Sequence, residues 1–176
     1  LPEFDNEVHA LSLHGSLLYA GGIFTSVNGQ ARNRLAAFDA ASGTLTPWNP
    51  NSSGRVNTMV ATKSAIFIGG AFKQIGGASH PLAAAIDAET GKVTDWNANA
   101  TGTEVSALLM DGATLYLGGN FTQMGGQMRN NIAAMDIETG EATKWNPNAS
   151  STVLSLASSG NTIFAAGSFS NIGGQS

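Results

Sequence analysis

The chain has 176 residues and a hydrophobic content of 42%, which fits a folded globular protein and excludes a disordered one. Its net charge is −4, and the sequence has no stripe of basic residues that could neutralise phosphates, so nucleic acid is not an expected partner. With no cysteine and no run of about 18 apolar residues, neither disulfides nor a membrane span is expected. Charged residues make up only 11%, and a surface made polar mainly by Asn, Ser, Thr and Gly predicts a secreted or cell-surface protein.

Four short strands are predicted at the start of the chain, each bounded by turn residues. A tight turn at 14–16 joins the first two strands, and another at 40–43 joins the last two. A longer polar loop at 25–33 links the second strand to the third, and a connector at 49–55 leads onward. The predicted strands cover residues 8–13, 17–24, 34–39 and 44–49.

The second strand belongs to a segment that the chain repeats four times. The copies lie at 18–24, 66–72, 115–121 and 163–169, and their closing phenylalanines are 48, 49 and 48 residues apart. Each copy is an apolar run that ends in small residues and a ring, as a buried strand does where another backbone must come close. The repeat defines units at 8–49, 56–97, 105–146 and 153–176, the last of them incomplete.

A four-stranded antiparallel meander cannot bury both faces alone, so neighbouring units must stack on it. Radial stacking predicts an all-β fold, a β-propeller of four-stranded antiparallel blades with about 3.67 blades present, three complete and one partial. The pair Ala36-Ala37 and its copies would let the sheets approach, and Trp48, Trp96 and Trp145 would cover the outer gap between blades. The competing β-solenoid has shorter coils and lacks closing hairpins.

Three interpretations of how the propeller ring is completed follow from the two ends of the sequence. Residues 153–176 contain two predicted strands and stop inside a loop, while residues 1–6 could supply an outer strand of another blade, with Phe4 in the role of the tryptophan. The chain is then part of a larger propeller, a four-bladed ring closed by its own N-terminal strand, or half of a ring made by two chains.

The third unit carries a recognisable pattern, Leu115-Tyr-Leu-Gly-Gly-Asn-Phe-Thr, then Arg129-Asn-Asn-Ile-Ala-Ala-Met-Asp136, then Trp145-Asn-Pro147. It resembles bacterial β-propeller repeats catalogued as a domain of unknown function, kelch-like in layout. The diglycine and the tryptophan are the kelch-like features, whereas Phe38, Ile86 and Met135 stand where kelch repeats favour tyrosine. The resemblance implies the fold and a place in large extracellular or surface-attached proteins, but no reaction, since such propellers include binding modules and oxidases.

The long polar loops and the connectors are predicted to share one rim of the propeller, which is the expected binding surface. Arg32, His80 and Arg129 occupy equivalent positions there, where they either contact a ligand or tie their own loops together. Asn51, Asn99 and Asn148 recur after the tryptophan, where turn formation is the competing role. The predicted ligand-binding set is Asn28, Gln30, Arg32, Asn51, Arg55, His80, Asn99, Gln127, Arg129 and Asn148.

No catalytic or metal-binding constellation is evident. The turn Asp39-Ala-Ala-Ser-Gly43 offers only one carboxylate, too few for calcium, so Asp39, Asp87 and Asp136 are expected to accept from the amides of their turns. The three histidines lack metal-ligand spacing. No helix follows Gly21-Gly22 to make a phosphate cradle, so no cofactor and no metal is expected. The sequence therefore predicts a non-catalytic extracellular binding or adhesion module that contacts protein or carbohydrate, with further blades or chains completing the ring. An architectural repeat of a surface protein or filament, and a propeller enzyme whose site lies in other blades, remain as alternatives.

Overall fold

The computed structural model describes residues 2–175, and its regular structure there consists of seventeen β-strands. Within those residues there is no helix of the length and apolar character that a membrane crossing requires. The strands are β1 (Val8–His14), β2 (Leu17–Gly22), β3 (Ser26–Val27), β4 (Gln30–Ala31), β5 (Leu35–Asp39), β6 (Arg55–Ala61), β7 (Ala65–Ala71), β8 (Gln74–Ile75), β9 (Ala78–Ser79), β10 (Ala83–Asp87), β11 (Val93–Asn97), β12 (Thr101–Asp111), β13 (Thr114–Met124), β14 (Gln127–Met128), β15 (Ile132–Asp136), β16 (Val153–Ser159) and β17 (Thr162–Gly167).

These strands form four consecutive antiparallel sheets, one for each repeat. Sheet 1 contains β1, β2 and β5; sheet 2 contains β6, β7, β10 and β11; sheet 3 contains β12, β13, β14 and β15; and sheet 4 contains β16 and β17. The pairs β3–β4 and β8–β9 are small hairpins in the long loops of sheets 1 and 2. The predicted all-β class and the antiparallel pairing are confirmed.

The predicted fourth strand is fully formed only in sheet 2. In sheets 1 and 3 the corresponding segment makes one bridge, Phe38 with Leu45 and Met135 with Ala142. The amides of Thr46 and Thr143 still donate to the carbonyls of the third strand. The segment therefore runs alongside its sheet in all three units, but as an outermost edge it keeps a shorter ladder in two of them.

The paired glycines lie where two backbones come closest. A Cβ at Gly22 would lie 2.1 Å from the carbonyl oxygen of Glu7 in the same sheet, and a Cβ at Gly21 would lie 2.6 Å from Val56 of the next sheet. The same contacts recur at Gly69-Gly70 and Gly118-Gly119. Only glycine fits both positions, which explains why the diglycine recurs in the second strand of each of these units.

The core lies between successive sheets. One cluster joins Tyr19 and Ala37 of sheet 1 to Met59 and Ile68 of sheet 2. Other clusters join sheet 2 to sheet 3 and sheet 3 to sheet 4. The first strands β1, β6, β12 and β16 pack beside one another in that order. Each internal sheet is therefore covered on both faces by its neighbours, as stacked propeller blades require.

Each tryptophan packs on its own sheet, and among residues 2–175 two of the three donate a hydrogen bond to the next sheet. Trp48 stands edge-on to Tyr19, with ring centroids 5.2 Å apart, and its Nε1–H donates to the Asp87 carbonyl at 3.2 Å. Trp96 repeats this arrangement with Phe67 and the Asp136 carbonyl. These contacts place Trp48 and Trp96 across the gap between sheets, as predicted, whereas Trp145 is only partly buried.

Phe4 packs on the first sheet. Its backbone bridges Val27, and its ring stands edge-on to Phe24 and Phe38. The connectors repeat this bridge, because Ser52 pairs with Ile75 and Ala149 with Ile172. Residues around Phe4 therefore have the place of a connector entering sheet 1. The completion of another blade by residues 1–6 stays a prediction, and Leu1 lies outside the described residues.

Candidate binding surface on the loop face

The long loops and the connectors meet on one rim, here called the loop face (residues 23–34, 49–55, 71–82, 97–104, 120–131, 146–152 and 168–175). The amide of Ser52 donates to the carbonyl of Asn33 at 3.0 Å, which ties a connector to the preceding loop. The amide of Gly76 donates to the carbonyl of Asn51 at 2.9 Å, which ties the same connector to the following loop. The loop face is therefore one hydrogen-bonded surface that crosses the sheet boundaries.

The tight turns lie on the opposite rim. The amide of Ala40 donates to the carbonyl of Ser16 at 2.8 Å, and the amide of Ala88 donates to that of Ser64 at 3.1 Å. In the turn that follows the third strand of sheets 1, 2 and 3, an aspartate accepts from the amide three residues on, as Asp39 does from Ser42. The Thr90 hydroxyl and amide lower the pKa of Asp87, and the amides of Ser42 and Thr139, helped by their hydroxyls, lower the pKa of Asp39 and Asp136. The aspartates thus serve as acceptors within their own turns.

The recurring connector asparagines occupy the left-handed backbone region. Asn51, Asn99 and Asn148 have φ values of 58°, 42° and 50°. Asparagine tolerates this conformation better than other non-glycine residues do, which explains its recurrence. The side chain of Asn51 also accepts from Nδ2 of Asn33 at 3.0 Å. All three asparagines are exposed on the loop face while shaping the connector, and their role in ligand binding stays a prediction.

Both equivalent arginines are turned into their own loops. Arg32 donates to the carbonyls of Ala31 and Thr46. Arg129 donates to the carbonyls of Met128 and Thr143 and is only 7% exposed. Nε of both arginines is buried without a hydrogen-bond partner among residues 2–175. In this structure the two guanidinium groups tie each loop to the fourth segment of its sheet, and their predicted contact with a ligand stays a prediction.

His80 takes the arginine's place in sheet 2. Its side chain is buried, and its Nδ1 has no hydrogen-bond partner in the described part of the chain. Burial lowers the pKa of His80, because the imidazolium form loses its hydration, although the carbonyl of Trp96 and the charge of Asp95 oppose that shift. His80 therefore fills the position of the guanidinium without reproducing all of its contacts.

The other predicted residues differ in how available they are. Asn28 and Gln30 are exposed at the tip of the first hairpin, where Asn28 also accepts from the amide of Glu3. Gln127 is exposed but accepts from Arg129. Arg55 is exposed and pairs with Glu104 of the next sheet. Gln30 is thus exposed at a hairpin tip, whereas the Arg55 guanidinium is exposed but already paired with Glu104.

Sequence reasoning missed the neighbours of Arg55 around the inner rim of the loop face. Matching positions, each directly before the valine that faces the glycine of the neighbouring sheet or its counterpart, are held by Glu7, Arg55, Glu104 and Thr152. Asn57, at a bulge that recurs in every sheet, donates to the Val105 carbonyl at 3.0 Å and to Glu104 at 3.3 Å. Applying the 48- and 49-residue spacing to Arg55 would have found the other three positions.

Two depressions open on the loop face beside this rim. One of about 590 Å³ lies over sheet 2 and includes Ser53, Gln74 and Ser79 in its lining. The other, of about 290 Å³, lies between sheets 2 and 3 and includes Pro81 and Thr103. Lys73 is exposed and lines both, so a cation sits at the junction of the two depressions. Over residues 2–175, no group of three or more His, Asp or Glu side chains is placed to hold a metal ion.

No family model matches this chain, and no curated protein matches it either. The kelch-like resemblance therefore stays a prediction. Solved structures do resemble the fold. The computationally designed protein Ika4 is 15% identical, with a TM-score of 0.65 over 93% of this chain and 86% of its own.

Two natural domains also match. The WD40 domain of Pan2 from Neurospora crassa is 14% identical, with a TM-score of 0.55 over 88% of this chain and 44% of its own. The extracellular domain of the putative hybrid two-component system BT4673 from B. thetaiotaomicron is 20% identical, with a TM-score of 0.53 over 92% of this chain and 20% of its own. This chain thus spans less than half the length of either. WD40 domains are β-propellers. The predicted β-propeller fold is therefore confirmed, whereas the number of blades stays a prediction.

Proposed function

We propose that this chain is a non-catalytic binding module that contacts a protein partner through its loop face. The observation that carries the proposal is the exposed inner rim at the boundary of sheets 2 and 3. There Arg55, Glu104 and Lys73 present charges of both signs beside the two depressions. Propellers bind partners at such rims because the loops vary while the sheets stay rigid.

A protein partner fits this surface better than a carbohydrate does. Met128 is 71% exposed on the third hairpin, and Pro81 lines the smaller depression. Methionine is enriched in protein interfaces, and opposite charges across an interface fix orientation and raise the association rate. Glycan binding is the competing outcome of the test below.

The test compares matched variants on the two rims. Lys73→Glu and Arg55→Ala change exposed groups on the loop face, whereas Lys63→Glu changes an exposed lysine in a tight turn of the opposite rim. The unchanged chain and the three variants are applied to a glycan array and to an array of purified extracellular proteins. We expect the unchanged chain to bind one or more proteins on the array. The affinity for these proteins should fall at least tenfold in the loop-face variants and stay unchanged in Lys63→Glu. A ligand equally sensitive to Lys63→Glu would contradict the proposal, and signals on glycans alone would replace protein with carbohydrate.

The finer proposal is adhesion at the outside of a bacterial cell, as part of a kelch-like extracellular protein. It is supported by a surface with few charges and by the diglycine and tryptophan contacts described above. Staining of intact cells with an antibody against this chain tests the location. Staining that requires permeabilised cells would contradict it.

A further inference from the structure

Two successive backbone amides converge on one side-chain oxygen in the long loops of sheets 1, 2 and 4. In sheet 2, the amides of Lys73 and Gln74 donate to Oγ of Ser53 in the connector, at 3.1 and 2.9 Å. In sheet 4, the hydroxyl of Ser150 accepts from two successive amides in the same way. Successive amides that point at one position form a site that favours an anion.

In sheet 1 a carboxylate occupies this position. Oδ1 of Asp5 accepts from the amides of Thr25 and Ser26 at 2.8 and 3.0 Å. The Thr25 hydroxyl and the amides of Ser26 and Thr25 lower the pKa of Asp5, so the ionised carboxylate is the form that the loop stabilises. The chain itself therefore gives an example of a carboxylate bound by this pair of amides.

Sheet 2 differs because its amide pair holds only a neutral hydroxyl and has a lysine beside it. The positions that match Lys73 in the other sheets hold Thr25, Thr122 and Ser170. Lys73 and Ser53 are exposed and line the depression of about 590 Å³, whose lining includes no carboxylate. Within residues 2–175 the Lys73 ammonium makes no ion pair. Its positive charge is therefore available to a ligand.

The backbone acceptors around this depression are already hydrogen-bonded. The carbonyls of Lys73 and Gln74 accept from backbone amides, and the carbonyl of Ser79 accepts from Nδ2 of Asn97. The polar side chains that line the depression are those of Ser53, Lys73, Gln74 and Ser79. Each of them can donate a hydrogen bond, so the lining suits a negatively charged ligand with more than one acceptor oxygen.

We propose that this depression binds an Asp or Glu side chain of the protein partner, with the carboxylate held between the Lys73 ammonium and the Ser53 hydroxyl. The inference rests on the proposed function, because it names the group by which a protein partner is held at the loop face. Arg55 does not compete for the carboxylate, since its guanidinium is already paired with Glu104. A charge-assisted hydrogen bond at an exposed lysine adds orientation and association rate more than affinity.

NMR titration of the nitrogen-15-labelled chain with blocked amino acids tests the site directly. The probes are glutamate with an acetylated N-terminus and an amidated C-terminus, and the glutamine blocked in the same way, which has nearly the same shape but no charge. At constant ionic strength, we expect blocked glutamate to shift the amide signals of Ser53, Lys73 and Gln74 to saturation. Blocked glutamine should leave these signals unchanged.

Three variants locate the binding of blocked glutamate. Lys73→Gln should weaken it about threefold, as expected for the loss of an exposed ion pair. Lys63→Gln removes the same charge from an exposed position on the opposite rim and should have no effect. Ser53→Asp gives sheet 2 the carboxylate that Asp5 gives sheet 1, so it should fill the site and abolish the shifts.

The proposal is overturned if the two probes act alike, if Lys73→Gln and Lys63→Gln weaken binding equally, or if Ser53→Asp still binds glutamate. Proteins that bind the loop face on the array, while blocked glutamate causes no shift, would overturn this inference and support the proposed function. Saturable glutamate shifts without any protein ligand on the array would support the carboxylate site and contradict the proposed function.

Discussion

Gly69 and Val105 face each other across sheets 2 and 3 with no room for a further carbon atom between them. A Cβ at position 69 would lie 2.5 Å from Cγ1 of Val105 and 2.9 Å from Cγ2 of Thr58. The first strand of one sheet thus rests directly on the backbone of the sheet before it. The contact recurs from Gly21 to Val56 and from Gly118 to Val153, and it sets the spacing of the series.

Gly69→Ala should lower the free energy of unfolding by about 1–3 kcal/mol, because overpacking forces the two sheets apart. Val105→Ala alone should cost about 1.5–3 kcal/mol through lost burial. Together they should cost less than the sum, because the smaller residue makes room for the added methyl group. Urea unfolding of the four proteins measures this, and strictly additive costs would show that the two positions do not touch.

Trp96→Phe should remove about 1 kcal/mol of stability by deleting the Nε1–H donor to the Asp136 carbonyl while keeping a ring against Phe67. Trp145→Phe is the matched control. Trp145 stands edge-on to Tyr116 in the same way but is only partly buried, and within residues 2–175 its indole N–H has no such carbonyl partner. Equal losses for the two variants in thermal unfolding would argue against a hydrogen bond between sheets.

Acid should weaken the attachment of the N-terminal segment. Hydrogen bonds from the Thr25 hydroxyl and from the amides of Ser26 and Thr25 lower the pKa of Asp5 to about 2, from 3.8. Because the folded pKa lies below the unfolded one, the stabilisation is complete above about pH 4 and is lost as the pH falls towards 2. Asp5→Asn should lower stability at pH 6 and flatten the dependence between pH 4 and 2.

Asp111→Asn, at the exposed turn between β12 and β13, serves as the control for Asp5→Asn. Urea midpoints measured from pH 2 to 6 compare the two variants with the unchanged chain. If Asp5→Asn keeps the full acid dependence, the hydrogen bonds from Thr25 and Ser26 do not hold that carboxylate in solution.

His80→Arg should stabilise sheet 2 by about 1 kcal/mol, since a guanidinium there can donate to the carbonyl of Thr94 as Arg32 does to Thr46 and Arg129 to Thr143. The same substitution should also remove the part of the pH dependence of stability that comes from His80. Because the pKa of His80 is lower in the folded chain than in the unfolded chain, the unfolded chain binds the proton more tightly. The free energy of unfolding therefore falls as the pH drops below about 6.5. Urea midpoints at pH 5 and pH 8 measure both effects. A destabilised variant, or one whose pH dependence is unchanged, would show that position 80 does not share the arginine's role.

The architecture could be predicted because the residues that pack one sheet against the next recur at the same positions of the repeat. The diglycine, the alanine pair and the tryptophan mark contacts between sheets, and the structure places all three there. The role of Phe4 was harder to predict. Its aromatic ring suggested the role of the tryptophan, but Phe4 lies one repeat before Ser52 and makes the same bridge as that connector residue. The candidate binding surface could be predicted only as one rim of loops and not as individual free side chains. Residue type could not show that Arg129 is buried in its own loop or that Glu104 pairs with Arg55.

The central claim is that successive sheets stack through valine on glycine, and nuclear Overhauser effects between these residues test it most directly. With selectively labelled valine methyl groups, cross-peaks should join Val56 to Gly21, Val105 to Gly69 and Val153 to Gly118, because each pair is in van der Waals contact. All three cross-peaks at comparable intensity are the predicted result. Their absence in the folded chain, or cross-peaks that link these valines to glycines of other units, would contradict the stacking of the sheets.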